Sequence, residues 1–276
     1  MSTIETYIQE YLSGKAITTQ ATYRQALTQF ERWLSSAGTN LTGFIKVDVQ
    51  QYLDYLTAKK KSAATIHKTH QAIKSFCRYT GNTKAIENIR MIKQPSALQQ
   101  APRALEKSEV RRVLREANNR YALRDHTIIV LLLNTGLRVG ELVALDRDDV
   151  ELGSRKGRLT VTWGKGGKTA KLPLNNEARH ALGQYLTERK DSNPALFISN
   201  RERRIDRRTV QNRMATLGIN AHALRHTFIT NLVRSGADIS IVQALSRHAS
   251  ADMILRYSKP TEDDLENALE KVVFWN

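Results

Sequence analysis

With a single cysteine, Cys77, among 276 residues, the chain has no means of building a disulfide framework or a cysteine-rich zinc finger. It has no apolar run long enough to span a bilayer, and the opening Met1-Ser2-Thr3-Ile4-Glu5 lacks the basic-then-apolar layout of a secretory leader. These absences point to a cytoplasmic protein with no membrane segment. Acids are scarce too. Against 43 Lys and Arg stand 27 Asp and Glu, leaving a formal net charge of +16, and the default partner of such a field is a polyanion. The hydrophobic fraction of 41% and charged fraction of 25% are ordinary for a globular chain, which excludes disorder. The length suits two modest domains or one large one.

Apolar periodicity predicts helices through the first third. Ile4, Tyr7, Ile8, Tyr11 and Leu12 recur at i, i+3, i+4 spacing and end near Gly14, and Tyr23, Leu27, Phe30, Trp33 and Leu34 repeat the pattern up to Gly38. Val49, Tyr52, Leu53 and Leu56 mark a third helix, and Ile66, Ile73, Phe76 and Tyr79 a fourth, ended by Gly81-Asn82. The aromatics read as core. The basic residues between them, Lys59, Lys60 and Lys61 after the third helix and Lys68, Lys74 and Arg78 along the fourth, read as nucleic-acid contacts. Residues 1–95 hold 13 basic and 6 acidic side chains. Periodicity then lapses in a proline-bounded polar stretch, so the expected division is a helical domain over 1–95, a linker over 96–103 and a second domain over 104–276. The last sixteen residues, 261–276, reverse the sign, with five acids against Lys271.

The second domain is predicted to be mixed. Helical patterns cover 108–118, 127–134, 177–186, 209–217, 222–233 and 239–245, with Gly136 as a C-cap and a short helix carrying Val139, Leu142 and Leu145. Between them Leu159, Val161 and Trp163 alternate, Gly164-Lys165-Gly166-Gly167 turns, and Leu172 and Leu174 resume, which is a β-hairpin. The expected fold class is mainly α with a small antiparallel sheet.

Several motifs fail on inspection. Gly167-Lys168-Thr169 imitates a P-loop, but Thr162 stands where its first glycine belongs and a strand, not a helix, follows. His222 and His226 have the spacing of a helical zinc pair, yet Ala223 occupies the place of a zincin glutamate and no third ligand is evident. No serine nucleophile elbow exists. More informative is His222 with Arg225 on one helical face, an imidazole beside a phosphate-matching fork. Arg138 follows the capping Gly136 with Glu141 one turn later, Lys165 sits at a hairpin tip, and His248 precedes Tyr257 by nine residues.

Together these segments resemble the tyrosine recombinase family, the phage integrase or Xer family. Thr135-Gly136-Leu137-Arg138-Val139-Gly140-Glu141-Leu142 is similar to its first box, the Lys165 hairpin to its lysine segment, and His222-Ala223-Leu224-Arg225-His226-Thr227-Phe228 to its second box. Leu245-Ser246-Arg247-His248 with Tyr257 resembles the last box, and residues 18–34 and 62–79 resemble helices of the family's core-binding domain. Departures are Ser246-Arg247 where the family usually has Leu-Gly, Met253 and Ile254 in place of threonines, and Lys259 in place of a histidine.

The resemblance implies a helical core-binding domain followed by a catalytic domain, and Tyr257 as the nucleophile of a metal-independent, ATP-independent strand exchange with no cofactor. It implies that Arg138 and Arg225 clamp the scissile phosphate, that His248 donates a further hydrogen bond, that Lys165 protonates the leaving 5′-oxygen, and that His222 and Glu141 support positioning and proton traffic. The expected partners are double-stranded DNA carrying specific sites and three further copies of the chain, in the cytoplasm on the nucleoid. Because the first helix starts so near Met1, a simple Xer-like recombinase or transposon resolvase is expected rather than a large phage integrase. A type IB topoisomerase with a similar residue set, or a non-catalytic DNA-binding protein on the same scaffold, is the alternative.

Overall fold

Short polar side chains start six of the α-helices among the described residues. The side chains of Ser2, Ser62, Asn175, Asp206, Asn220 and Asp238 each accept a hydrogen bond from a backbone N–H of the first turn that would otherwise be orphaned. The computed structural model describes residues 2–93, 103–120, 123–163, 167–248, 250–257, 266, 269 and 270. The chain forms two units, Met1–Pro95 and Ser96–Asn276. The expected linker over 96–103 lies almost wholly outside the described residues.

The first unit consists of helices α1 (Thr3–Tyr11), α2 (Ile17–Ser36), α3 (Lys46–Ala58) and α4 (Ala63–Thr80). Their apolar stripes meet in one core, with Tyr7, Leu27, Phe30, Phe44, Val49, Ile73 and Phe76 almost fully buried. Phe30 meets Phe44 edge-on at 5.2 Å between ring centroids, a favoured aromatic geometry. One predicted core residue is not core: Tyr11 is 48% exposed, stacked on Tyr7 at the end of α1.

The second unit is organised around α6 (Leu123–Thr135), which packs against α5 (Lys107–Arg120), α8 (Asn176–Glu188) and α10 (Ala221–Arg234). Ile128, Ile129, Val130, Leu131 and Leu132 are all buried, so this helix is apolar on every side, as a central helix must be. The predicted hairpin is β2 (Gly157–Trp163) with β3 (Lys168–Pro173), and the alternating residues pair Leu159 with Leu172 and Val161 with Ala170. A third strand that the sequence did not announce, β1 (Val150–Leu152), adds antiparallel to β2. The short α7 (Val139–Ala144), α9 (Arg207–Thr216), α11 (Ile239–Ser246) and α12 (Asp252–Leu255) complete the unit. Among the described residues no helix is long and apolar enough to cross a membrane.

Candidate active site

Gly136 fixes the first element of the site. Its φ of +58° is left-handed, and a Cβ there would lie 2.3 Å from Phe228 on α10, so α6 can turn here only through glycine. That turn delivers Arg138 to the N-cap of α7. Glu141, three residues on, accepts from the Arg138 backbone N–H at 2.9 Å and from its Nη1 at 2.8 Å. The Arg138 side chain is 39% exposed and Glu141 is buried, so the carboxylate anchors a guanidinium that still faces outward.

Helix α10 carries the second element. Arg225, buried, donates from Nη1 to the Gly136 carbonyl and from Nη2 to the Ser246 carbonyl, which ties the α6 turn to the end of α11. Its Nη2 also lies 3.3 Å from His248 Nε2. Burial, then the nearby Arg138 and Arg247 charges, push Arg225 down to about 10, which leaves it cationic at neutral pH. His248 Nδ1 lies 3.0 Å from Ser246 Oγ. These contacts fit the neutral tautomer with the proton on Nδ1, donating to Ser246 while Nε2 accepts from Arg225. Burial, reinforced by Arg225 and Arg138, lowers His248 to about 4.

Tyr257 follows α12 and packs its ring with Ile229, Val242 and Ile254. The ring lies 6.3 Å from that of His248, and the hydroxyl is 2.6 Å from His226 Nδ1. Burial raises the Tyr257 phenol above its ordinary value, although Arg225, Arg256 and Arg138 pull the other way. His222 is exposed one turn before His226, their rings 6.4 Å apart. The structure therefore brings Arg138, Glu141, Arg225, His248 and Tyr257 together, with His222 beside them. Lys165 lies outside the described residues, between strands whose last described pair is Trp163 with Lys168.

Two further residues join this cluster, His226 and Arg247. The sequence marks His226 only as half of a zinc-like pair, and its bond to Tyr257 spans 31 positions. Arg247 was noted as a departure where the family has glycine. It is the C-cap of α11, in the left-handed conformation with φ 56° and ψ 39°. Its guanidinium turns inward, donating to the Leu245 carbonyl at 2.7 Å, the Gly136 carbonyl at 3.3 Å and Glu141 Oε2 at 3.0 Å. Glu141 thus holds one arginine on each oxygen. Burial pushes its carboxyl up, but Arg247 and Arg138 together win and hold it below the ordinary value. The signal in the sequence was the non-glycine residue at a place where a helix ends on a left-handed cap.

The six basic residues expected to meet DNA lie in the first unit and form two groups. Lys59 caps α3 with Nζ 5.7 Å over the Tyr55 ring, and Lys59 and Lys61 line an open cavity of about 520 Å³ with Arg32, Trp33 and Tyr55. Lys60 between them is left-handed, with φ 55°. Lys74 and Arg78 are one turn apart on α4, while Lys68 falls on a different face at about 100° per residue.

The phage integrase family pattern matches residues 103–263, and the phage integrase N-terminal SAM-like domain matches residues 4–82. Tyrosine recombinase XerA of Pyrococcus furiosus is 34% identical over 233 residues, covering 81% of this chain and 79% of its own. The crystal structure of XerA recombinase is 27% identical, with a TM-score of 0.54 over 98% of this chain and 99% of its own. XerH site-specific recombinase, in a pre-cleavage complex with its difH substrate, shares the fold at a TM-score of 0.73 and 22% identity, over 97% of this chain and 83% of its own.

Proposed function

This chain belongs to the phage integrase family of tyrosine recombinases, and we propose that it is a site-specific DNA recombinase that cuts and rejoins strands through a 3′-phosphotyrosyl intermediate on Tyr257. The observation that carries the proposal is the convergence of Arg138, Arg225, His248 and Tyr257 from four separate segments of the chain. Attack by a phenol on a phosphodiester builds negative charge on the non-bridging oxygens, and preorganised guanidinium donors are suited to meet it. Arg138 offers outward-facing donors. Arg225 is held by two carbonyls, so its remaining N–H groups have a fixed direction.

In the cleavage step the Tyr257 oxygen bonds to phosphorus and the bond from phosphorus to the 5′-oxygen breaks. Lys165 supplies the proton to that leaving oxygen, and His248 donates to the phosphate from Nε2 by taking the other tautomer, in which its Nδ1 accepts from the Ser246 hydroxyl. The phosphodiester energy stays in the tyrosyl link, so a 5′-hydroxyl can reverse the step without ATP. Strand exchange through a Holliday junction then follows in a tetramer on two DNA sites. The XerH complex named above, with its DNA substrate, supports double-stranded DNA as the partner.

The test is a nicked suicide substrate, which traps the covalent complex once the short cut strand diffuses away. Tyr257→Phe should bind this DNA as the unaltered protein does and form no adduct. A persisting adduct in that variant removes Tyr257 from the mechanism.

A further inference from the structure

We propose that His226 is a catalytic residue of this chain, the base that takes the proton of Tyr257 as the tyrosine attacks. This deepens the phosphotyrosyl reading and rests on it. A tyrosine hydroxyl cannot become a bridging phosphate oxygen without losing its proton, and at a reference pKa of about 10 the proton needs an acceptor already in place. Among the described residues, the group hydrogen-bonded to that hydroxyl is His226 Nδ1, at 2.6 Å. That distance is within the reach required of a general base.

The surroundings favour a neutral acceptor. Burial first, then the charges of His222, Arg225 and Arg256, hold His226 down to about 4, so the ring is neutral at neutral pH, and in the tautomer with its proton on Nε2 the Nδ1 lone pair accepts from the Tyr257 hydroxyl. The groups facing it are His222 and Arg225 on α10, Arg256 and Tyr257 after α12, and His248 after α11. His226 also lines an open cavity of about 470 Å³ together with His222, Asn220, Arg103 and Glu109. A proton accepted there has a route to water, and His222 stands along it. His222, exposed and one turn away, is therefore a relay rather than the group that touches the nucleophile.

The step balances. The Tyr257 proton passes to His226 Nδ1, the tyrosine oxygen bonds to phosphorus, and the 5′-oxygen departs with a proton from Lys165. In rejoining, the imidazolium of His226 returns its proton to the departing tyrosine, so the residue serves as base in one direction and acid in the other.

The experiment measures single-turnover adduct formation on the suicide substrate. His226→Ala should bind DNA as before and cleave about 10²–10⁴-fold more slowly, the range for general acid–base catalysis. Free imidazole should restore cleavage by the alanine variant, with a rescue that grows with the neutral fraction of the imidazole as pH rises. In the unaltered protein, cleavage should fall as pH drops and His226 becomes protonated, and that acid limb should vanish in the variant. His226→Asn, which keeps a hydrogen-bond acceptor but cannot carry a proton, guards against a folding defect in the alanine variant and should remain slow. Cleavage at or above the unaltered rate in either variant overturns the proposal and makes the bond a restraint on the tyrosine. A slow alanine variant without imidazole rescue, beside an asparagine variant at full rate, overturns it as well, since acceptance of a hydrogen bond would suffice. Absence of any adduct in the unaltered protein would instead sink the phosphotyrosyl reading, and this proposal with it.

Discussion

Arg247 sets two effects of opposite sign against each other at one residue. A non-glycine residue in the left-handed conformation costs roughly 1–2 kcal/mol, and Arg247 holds φ 56° at the end of α11. Against that, its side chain is 1% exposed and bonded to a carboxylate that is 6% exposed, so water screens the pair little. Breaking a buried pair by deleting one partner costs about 3–5 kcal/mol. The pair wins. Arg247→Gly should therefore destabilise the protein despite relieving the backbone, by a net of about 1–2 kcal/mol because Arg138 still holds the other oxygen of Glu141. Chemical denaturation reads this directly, and a variant more stable than the parent would show that the cap strain dominates. The residues in the family-like boxes were legible because type and spacing are local. The partners of Arg247 and His226 were not, because their bonds cross 106 and 31 positions and no periodicity carries such distances.

At the level of elements, what sequence could reveal depended on length. The four helices of the first unit announce themselves by long apolar stripes, and the hairpin by alternation between β2 and β3. Strand β1 has three residues and α12 four, too few for either period to register. The register of the hairpin pairs Trp163 with Lys168, and Lys165, the proposed general acid, falls between them in the sequence. Lys165→Ala should slow cleavage by about 10²–10⁴-fold. A substrate with a 5′-bridging phosphorothiolate has a leaving group that needs no proton, and it should restore the rate. Equal slowing on both substrates would assign Lys165 to binding instead.

On the scale of the whole molecule, charge divides the chain into two basic stretches and an acidic end. Residues 1–95 carry 13 basic and 6 acidic side chains, whereas 261–276 hold five acids and one lysine. An acidic segment is badly placed to touch DNA, so its use must lie elsewhere. Acids in a first turn and the spacing of Leu265, Leu269 and Val272 predict a helix over 261–271; most of it falls outside the described residues, but Glu266, Leu269 and Glu270 are helical and exposed. Leu269 is 73% exposed. Ile239 and Ile241 on α11 and Met253 on α12 are also exposed. The family resemblance implies that the tail of one copy docks on the next, in head-to-tail contacts that close into a ring, whereas the alternative is a tail folded back on its own unit. Such docking would reach the segment that carries the nucleophile and so couple one active site to its neighbour. Truncation after Lys259 should then leave folding and single-site DNA binding intact while abolishing the paired-site complex and recombination. Native gels on one and two sites separate these outcomes. A truncated protein that unfolds assigns the tail to its own unit, and one that still assembles on paired sites removes the tail from the assembly altogether.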